Sequence, residues 1–178
     1  IFTSDVKVIQ YVKDARLLGV ENDSEKRYLG ERSWEFDITI QGYRYHMSNI
    51  FAAIGRVQLR RFEKEFAVSR KHLAKKYTSL LKNNINVKLI NIDYDNIVPH
   101  IFPILVQGGL RDHLFDKFNE IGIQCGMHYK PNHLLTKYKT SYSLPITEKA
   151  YDQVLTLPLH PEITDLEIEK ICQIINKI

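Results

Sequence analysis

The sequence carries one long helical pattern, which begins after Ser48 and runs to about Leu80. Ser48 is a favourable N-cap, because its hydroxyl accepts a hydrogen bond from the first turn of a helix. The apolar positions keep a helical spacing but shift phase near residues 61–64, so we expect either two consecutive helices or one bent helix. These apolar positions are Ile50, Ala53, Ile54, Val57, Phe62, Phe66, Leu73, Tyr77 and Leu80.

The charge of the chain does not point to a nucleic-acid partner. It has 25 basic and 21 acidic residues, a formal net charge of +4, and the two signs are interleaved. One basic cluster lies on the long helical pattern, where Phe66, Leu73 and Tyr77 mark the buried side. We expect this cluster to be the solvated face of the helix, and its members are Arg70, Lys71, Lys75 and Lys76.

The residues before the long helix predict a smaller helix and a short strand. Ser4 or Asp5 caps a helical pattern that ends at Gly19. Residues 21–35 are charged and polar, which predicts an exposed loop, and apolar residues at 36, 38 and 40 alternate as in a strand. Residues 1–3 resemble a strand already under way and no methionine precedes them, so we expect the chain to be cut from a longer protein.

The residues after the long helix alternate between strand and helix patterns. Strands are predicted at 87–90, 101–106 and 123–128, and helices at 110–121 and from 147 to about 155. Thr164 and Glu167 form a capping box that opens a last helix. This order predicts an α+β fold, in which a small antiparallel or mixed sheet carries helices on one face. The hydrophobic content of 44% suits such a globular domain.

Cysteine use and hydropathy favour a cytoplasmic protein. Cys125 and Cys172 are the only cysteines, which is too few for a disulfide framework. No apolar run reaches the roughly 20 residues that a membrane helix needs, and no signal peptide is recognisable. We therefore expect neither a membrane nor a nucleic-acid partner.

A first candidate site lies at residues 42–49, directly before the long helix. A helix N-terminus presents unpaired backbone N–H groups and favours anions such as phosphate. Arg44 and His46 would add positive charge and hydrogen-bond donors there. The alternative is that Ser48 only caps the helix and that the tyrosines of the segment only pack.

A second candidate site lies at residues 125–133. Cys125, His128 and His133 have the chemistry of metal ligands, but a structural zinc site needs four ligands and no second cluster exists, so we predict no metal. His128 and Tyr129 stand at a predicted strand end before a proline-containing loop, which is a suitable place to line a ligand pocket. On this chemistry alone the chain is an anion-binding α+β domain.

These two segments carry a family resemblance. The sequence Gly-Tyr-Arg-Tyr-His-Met-Ser-Asn at 42–49, followed by Ala-Ala-Ile-Gly at 52–55 and Gln-Leu at 58–59, resembles the DegT/StrS family of aminotransferases. His-Tyr-Lys-Pro-Asn-His at 128–133 and Leu-Pro-Leu-His-Pro at 157–161 match two further motifs of that family in the same order. The resemblance covers nearly the whole chain and corresponds to the C-terminal half of such an enzyme.

The resemblance implies a chemistry that the composition does not show. Such enzymes have the fold-type I architecture and use pyridoxal phosphate to move an amino group, usually from glutamate, to a keto group on a nucleotide-linked sugar. They form homodimers with the active sites at the subunit interface. The lysine that carries the cofactor and the acid beside its ring nitrogen lie in the N-terminal half, so no catalytic residue is assigned in this chain, and we expect the chain alone to be inactive.

The resemblance also implies roles for individual residues. Arg44, Ser48 and Asn49 correspond to positions near the cofactor phosphate, although Arg44 replaces the family's asparagine and has the alternative of reaching the substrate diphosphate or a carboxylate. Tyr43, His46, His128, Tyr129 and His133 correspond to the substrate side, with His46 in place of the usual arginine.

The expected organisation is an end of the large domain at residues 1–47 and a small C-terminal domain at 48–178. Two alternatives to the aminotransferase remain open. One is a non-catalytic relic or dimerisation partner of a full-length enzyme. The other is part of a sugar dehydratase of the same family, in which histidine replaces the lysine.

Overall fold

The computed structural model describes residues 3–21 and 37–178. The chain forms two compact units, residues 1–58 and residues 59–178. The boundary between them falls within a helix, whereas the division expected from the sequence at 47/48 stays a prediction. The strand expected at residues 1 and 2, the loop expected at 22–35 and the strand residue Phe36 lie outside the described residues.

The first unit contains helix α1 (Val6–Ala15). Asp5 is its N-cap, as predicted, and its carboxylate accepts hydrogen bonds from the backbone of Lys7 at 2.8 Å and Val8 at 3.4 Å. A turn follows in which Leu18 and Gly19 both have positive φ, at 66° and 78°. The strand predicted around Ile38 is reduced in the described residues to a single antiparallel bridge between Ile38 and Val20.

Backbone hydrogen bonds join the Gly-Tyr-Arg-Tyr motif to the end of α1. Tyr43 N donates to Ala15 O at 2.6 Å, and Leu18 N donates to Tyr43 O at 3.1 Å. Tyr45 N donates to Arg16 O at 2.9 Å. Residues 43–45 therefore run antiparallel to the last residues of α1 and the turn after it, which fixes the direction in which the chain enters the next helix.

Position 42 leaves no room for a side chain, because the backbone of the turn lies against it. A Cβ atom built on Gly42 would lie 1.9 Å from Gly19 N and 1.9 Å from Leu18 C. Gly19 has the reciprocal restriction, since its own Cβ would lie 2.3 Å from Ile40 O and its φ is positive. The first glycine of the motif thus serves close backbone packing.

The long helical pattern forms one continuous helical stretch, with a π-helical turn at the place where its phase changes. Helix α2 (Asn49–Arg61) continues into a π-helical turn (Phe62–Phe66) and then into helix α3 (Ala67–Leu81). In a π turn each backbone hydrogen bond spans five residues instead of four, which explains the shift of the apolar positions near residues 61–64.

The second unit is built on a three-stranded antiparallel sheet in the order β1-β2-β3. The strands are β1 (Val87–Leu89), β2 (Phe102–Val106) and β3 (Val154–Leu157). Val87 pairs with Val106, and Phe102 pairs with Leu157. The remaining helices are α4 (Arg111–Glu120), α5 (Pro145–Gln153) and α6 (Asp165–Ile175), with short 3-10 turns at Asn132–Leu134 and Thr136–Tyr138.

One hydrophobic core holds the second unit together. β2 alternates between buried and half-buried residues, so that Phe102, Ile104 and Val106 face the core. Tyr77 of α3 stacks on Phe102 with ring centroids 4.9 Å apart. The large side chains from the helices and β3 that are at most 2% exposed are Leu73, Tyr77, Leu81, Leu114, Phe118, Leu155, Leu157, Ile168, Cys172 and Ile175. The α+β class and the small antiparallel sheet predicted from the sequence are confirmed.

One prediction of secondary structure is wrong, and the bounds of another are shifted by two residues. Residues 123–128 do not form a strand, because only Gly126 pairs with the sheet, through an isolated bridge to Thr156. The helix predicted from 147 to about 155 begins at Pro145, which needs no N–H partner at a first helical position, and ends at Gln153. Residues 154 and 155, expected at the end of the helix, instead begin β3, whose four residues are all buried.

The basic cluster on α3 is not a purely solvated face. Arg70 Nη1 donates to His100 O and to Leu159 O, each at 3.1 Å. Lys71 donates to Asp95 O at 2.6 Å, and Lys75 is paired with the Asp95 carboxylate. Lys76 lies 2.9 Å from Asp165 and 2.6 Å from Glu169 of α6. These cations fasten α3 to neighbouring segments.

The Leu-Pro-Leu-His-Pro segment at 157–161 is held by side chains of α3. Ser69 Oγ donates to Pro161 O at 3.4 Å, Arg70 donates to Leu159 O, and Tyr77 Oη donates to Pro158 O at 3.0 Å. After β3 ends, this segment has no strand partner. The three hydrogen bonds therefore satisfy backbone carbonyls that would otherwise lack a donor.

No helix in the described part of the chain is long and apolar enough to cross a membrane.

Gly42→Ala should destabilise the first unit by about 1–3 kcal/mol, because the added methyl group forces the backbone at Gly19 apart. Amide hydrogen exchange at Leu18 and Tyr43 measures the effect, and protection there should fall. Gly55→Ala is the matched control. Nothing lies within 4 Å of its added Cβ, so a helical alanine should be neutral or stabilise by roughly 0.5–1 kcal/mol. Equal protection in Gly42→Ala and wild type would contradict the steric account.

Tyr77→Phe should lower the free energy of unfolding of the second unit by about 1–2 kcal/mol in urea denaturation. Burial raises the pKa of the Tyr77 phenol, so the hydroxyl keeps its proton and donates it to Pro158 O. The variant keeps the stacked ring and removes only this bond. Tyr142→Phe, at an exposed position, should change stability by less than about 0.5 kcal/mol. The same change in both variants would refute a role for the bond.

Candidate functional site

The first candidate segment ends at the start of α2. Ser48 Oγ accepts a hydrogen bond from Phe51 N at 3.3 Å, and Ser48 O accepts one from Ala52 N at 2.9 Å, so Ser48 caps the helix as predicted. Within the described residues, the N–H groups of Asn49 and Ile50 have no backbone or side-chain acceptor. A free pair of N–H groups at the start of a 13-residue helix is suited to an anion.

The side chains before this helix start are exposed. Tyr43 is 51% and Tyr45 76% exposed, and their rings stack with centroids 5.5 Å apart and an interplanar angle of 10°. Arg44 lies between them and forms an antiparallel bridge with Leu17 through its backbone. Arg44 is itself exposed. His46 is also exposed. The predicted phosphate and substrate residues of this unit therefore lie on one continuous, accessible segment.

His128 of the second unit is half-buried and fixed in orientation. Its Nδ1 lies 2.9 Å from Thr156 Oγ1. A Cβ atom on Gly126 would lie 2.6 Å from His128 Cε1, so the imidazole occupies the space that a larger residue at 126 would fill. The ring of Tyr129 meets that of His128 edge-on, with centroids 4.6 Å apart, and Tyr129 is itself 72% exposed.

The His133 side chain packs against α5. Its side chain is only 9% exposed, and Nε2 lies 2.9 Å from Glu148 Oε1 of α5. The same carboxylate oxygen accepts a hydrogen bond from Leu144 N at 3.1 Å. The hydrogen bond from His133, followed by that from Leu144, lowers the pKa of Glu148. In this chain His133 ties its loop to α5, and its contact with substrate stays a prediction.

Three residues that shape the second segment were not predicted from the sequence. Thr156 bonds His128, Glu148 bonds His133, and Arg111 Nη1 lies 3.1 Å from Met127 Sδ and donates to Tyr151 O at 3.1 Å. A threonine inside the apolar run of β3 was the one local signal available for Thr156. Glu148 and Arg111 carry no such signal, because their partners are distant in sequence.

Burial disfavours the thiolate form of both cysteines. Burial raises the pKa of the Cys125 thiol to about 12 and that of the Cys172 thiol to about 12. Cys172 belongs to the core of α6, as predicted. In residues 3–21 and 37–178, no group of three histidine, cysteine or carboxylate side chains is arranged to hold a metal ion.

A surface cavity of about 500 Å³ in the second unit lies elsewhere. It is lined by residues that include Gln124, His160 and Lys170. None of the predicted site residues lines this cavity, so the cavity does not mark the candidate site.

Similar proteins place this geometry in a known context. An uncharacterized protein of Methanocaldococcus jannaschii is 27% identical over 99% of this chain and 48% of its own length. Spr1654 of Streptococcus pneumoniae, classed as a sugar aminotransferase, is 26% identical in its PMP form, with a TM-score of 0.82 over 98% of this chain and 45% of that chain. The same protein is also solved in its PLP form, with a TM-score of 0.80.

A third similar structure is a DegT DnrJ EryC1 StrS aminotransferase from Brucella abortus. It is 26% identical, with a TM-score of 0.79, and the match covers 99% of this chain and 44% of that chain. The chain thus spans about half the length of the relatives that it matches. The pyridoxal cofactor predicted from the resemblance is the one present in the two forms of the pneumococcal protein.

The family comparison agrees with the motifs. The model of the DegT/DnrJ/EryC1/StrS aminotransferase family matches residues 1–176, which include both candidate segments. The resemblance stated from the motifs is therefore confirmed, and the chain belongs to the DegT/DnrJ/EryC1/StrS aminotransferase family.

Proposed function

We propose that the chain is the C-terminal part of a pyridoxal-phosphate-dependent aminotransferase that moves an amino group from glutamate to the keto group of a nucleotide-linked sugar. Such a product serves polysaccharide or glycan precursor biosynthesis. The observation that carries the proposal is the family match over residues 1–176. The similarity to a sugar aminotransferase of Streptococcus pneumoniae supports the sugar as substrate class.

The start of α2 has the donors that a cofactor phosphate needs. The backbone N–H groups of Asn49 and Ile50 are without an acceptor in the described residues, the helix dipole favours an anion, and Arg44 adds a charged fork of donors. Ser48 shapes this site by capping the helix and offers its own hydroxyl. The donor set therefore fits a phosphate group, and Arg44, Ser48 and Asn49 would hold it.

Pyridoxal phosphate, when bound, supplies the electron sink on which amino transfer depends. The residues of this chain orient the cofactor and the sugar. Tyr43 and His46 lie beside the phosphate segment, and His128 and Tyr129 offer hydrogen-bond donors for a sugar nucleotide. Arg44 has a second role open to it, because an arginine also binds a substrate diphosphate or carboxylate through two parallel hydrogen bonds.

We also propose that the complete protein is a cytoplasmic homodimer. Helix α2 buries none of its residues, and it exposes large apolar side chains, among them Ile50 at 74% and Phe51 at 66%. Exposed apolar surface of this extent is typical of an interface with another domain or subunit. Both cysteines are free thiols, which suits a reducing compartment.

The chain by itself should not catalyse amino transfer. None of its lysines lies in the family's lysine motif, so the group that anchors the cofactor is not assigned among residues 1–178. Without that group and the acid beside the ring nitrogen, binding contacts remain but the chemistry is not organised.

The test compares the complete protein with residues 1–178. With L-glutamate added, absorbance should show the complete protein converting its cofactor from the pyridoxal to the pyridoxamine form, and a nucleotide-linked keto-sugar should reverse the change. Residues 1–178 alone should show neither change. Cofactor binding without turnover of glutamate would favour the sugar dehydratase. Lack of cofactor binding by the complete protein would favour a non-catalytic partner.

Arg44→Ala in the complete protein should weaken pyridoxal phosphate binding roughly tenfold to a hundredfold, as expected for a lost hydrogen bond to a charged group. Equilibrium dialysis of the cofactor measures this, and Arg44→Asn, which restores the family residue, should recover part of the affinity. Lys82→Ala, an exposed cation at the end of α3, is the control and should leave the affinity unchanged. Unchanged cofactor affinity in Arg44→Ala with a raised KM for the sugar nucleotide would place Arg44 on the substrate instead.

A further inference from the structure

Thr156 is a polar side chain in the buried part of the second unit. It is 5% exposed and lies in β3, between the buried Leu155 and Leu157. Its backbone pairs with Gly126 through Thr156 N donating to Gly126 O at 2.7 Å and Gly126 N donating to Thr156 O at 3.0 Å. Its hydroxyl lies 2.9 Å from His128 Nδ1. A buried hydroxyl in a sheet core requires a reason.

Gly126 and Thr156 together form the seat of the His128 ring. The nearest atoms to a Cβ built on Gly126 all belong to the His128 ring, so the ring lies on the side of Gly126 where a side chain would be. Because Gly126 has no side chain, the ring lies over it and reaches the Thr156 hydroxyl. An alanine at 126 would place its Cβ 2.6 Å from Cε1 and 3.2 Å from Nδ1, and so displace the ring.

The hydrogen-bonding capacity of the two groups decides where the proton of the imidazole lies. A threonine hydroxyl has one proton to donate, and leaving it unpaired in a buried place costs free energy. Within residues 3–21 and 37–178, Thr156 Oγ1 has no hydrogen-bond partner other than His128 Nδ1. A hydroxyl that donates to Nδ1 satisfies its one proton, and the neutral imidazole then carries its own proton on Nε2.

We propose that Thr156 is a positioning residue that, with Gly126, holds His128 in the tautomer that presents Nε2–H to an oxygen atom of the substrate. In the described residues Nε2 has no hydrogen-bond partner, so this donor is available to a ligand. The chemistry recognised is an oxygen acceptor of a nucleotide-linked sugar, either a sugar hydroxyl or a phosphate oxygen. The inference rests on the proposed function, in which His128 lies on the substrate side.

The first test reads the tautomer and needs no turnover. In the complete protein labelled with 15N-histidine, two-bond 15N–1H correlations should show His128 with a bare Nδ1 and a protonated Nε2. Thr156→Ser keeps the hydroxyl and should keep this pattern. Thr156→Val keeps the shape and should give a mixture of the two tautomers. A protonated Nδ1 in the wild type, or the same pattern in wild type and Thr156→Val, overturns the proposal.

The second test separates positioning from stability. Thr156→Val should lower kcat/KM for the sugar nucleotide about tenfold through a raised KM, with the glutamate half-reaction unchanged, since one substrate hydrogen bond is weakened. Thr156→Ser should restore the wild-type value. Thr78→Val removes a hydroxyl bonded to a helix carbonyl at 2.9 Å and serves as the matched control. Equal KM in wild type and Thr156→Val overturns the proposal.

Gly126→Ala provides an independent variant should Thr156→Val fold poorly. It leaves the Thr156 hydroxyl in place but displaces the ring, so it should abolish the fixed tautomer and raise KM in the same way. A fixed tautomer and a normal KM in Gly126→Ala would overturn the seat described above. An inactive wild-type protein, by contrast, would contradict the proposed function itself, because the tautomer measurement does not depend on activity.

Discussion

The burial of one side of α3 against the sheet is the interaction on which the second unit depends. Leu73, Tyr77 and Leu81 are almost completely buried, and Tyr77 stacks on Phe102 in β2. The adjoining positions of the helix carry Ser69 and Arg70, whose hydrogen bonds hold the segment that follows β3. Because that segment continues from β3, α3 indirectly fixes the strand that carries Thr156, and so the surroundings of His128.

In the described residues of the first unit, the contacts that set the path of the chain are mainly backbone hydrogen bonds. Of the described residues before Gln58, the structure buries Ala15 at the end of α1 and Gly19 in the turn after it, while α2 exposes its apolar side chains. Hydrogen bonds between residues 43–45 and the end of α1, together with the close approach at Gly42, set the path of the chain into Ser48. The family motif is thus explained in part by packing and in part by the donors it leaves accessible.

Much of the fold could be predicted because its signals are local. Three of these signals each depend on only a few neighbouring residues. They are the cap at Asp5, the capping box of Thr164 and Glu167, and the phase shift that marks the π turn. β3 could not be predicted, because a strand buried along its whole length lacks the alternation that distinguishes a strand from the end of a helix. Residues 123–128 have a strand-like composition, yet only Gly126 pairs with a strand of the sheet.

The candidate site was predictable only as far as its motifs extend. Residues 42–49 and 128–133 were recognised from their family pattern, but the groups that hold them in place come from elsewhere in the chain. Thr156 and Glu148 reach His128 and His133 across 28 and 15 positions, and such contacts arise from the tertiary fold. His133 is an example, since its contact with Glu148 of α5 has no local sequence signal.

A crystal structure of the complete protein with pyridoxal phosphate bound tests the central claim most directly. The account predicts that phosphate oxygens lie about 2.7–3.2 Å from donors at the start of α2, namely the backbone nitrogen of Asn49 and the side chain of Ser48 or Arg44. A phosphate that no residue of the 42–49 segment contacts would contradict the account and leave this segment with a structural role alone.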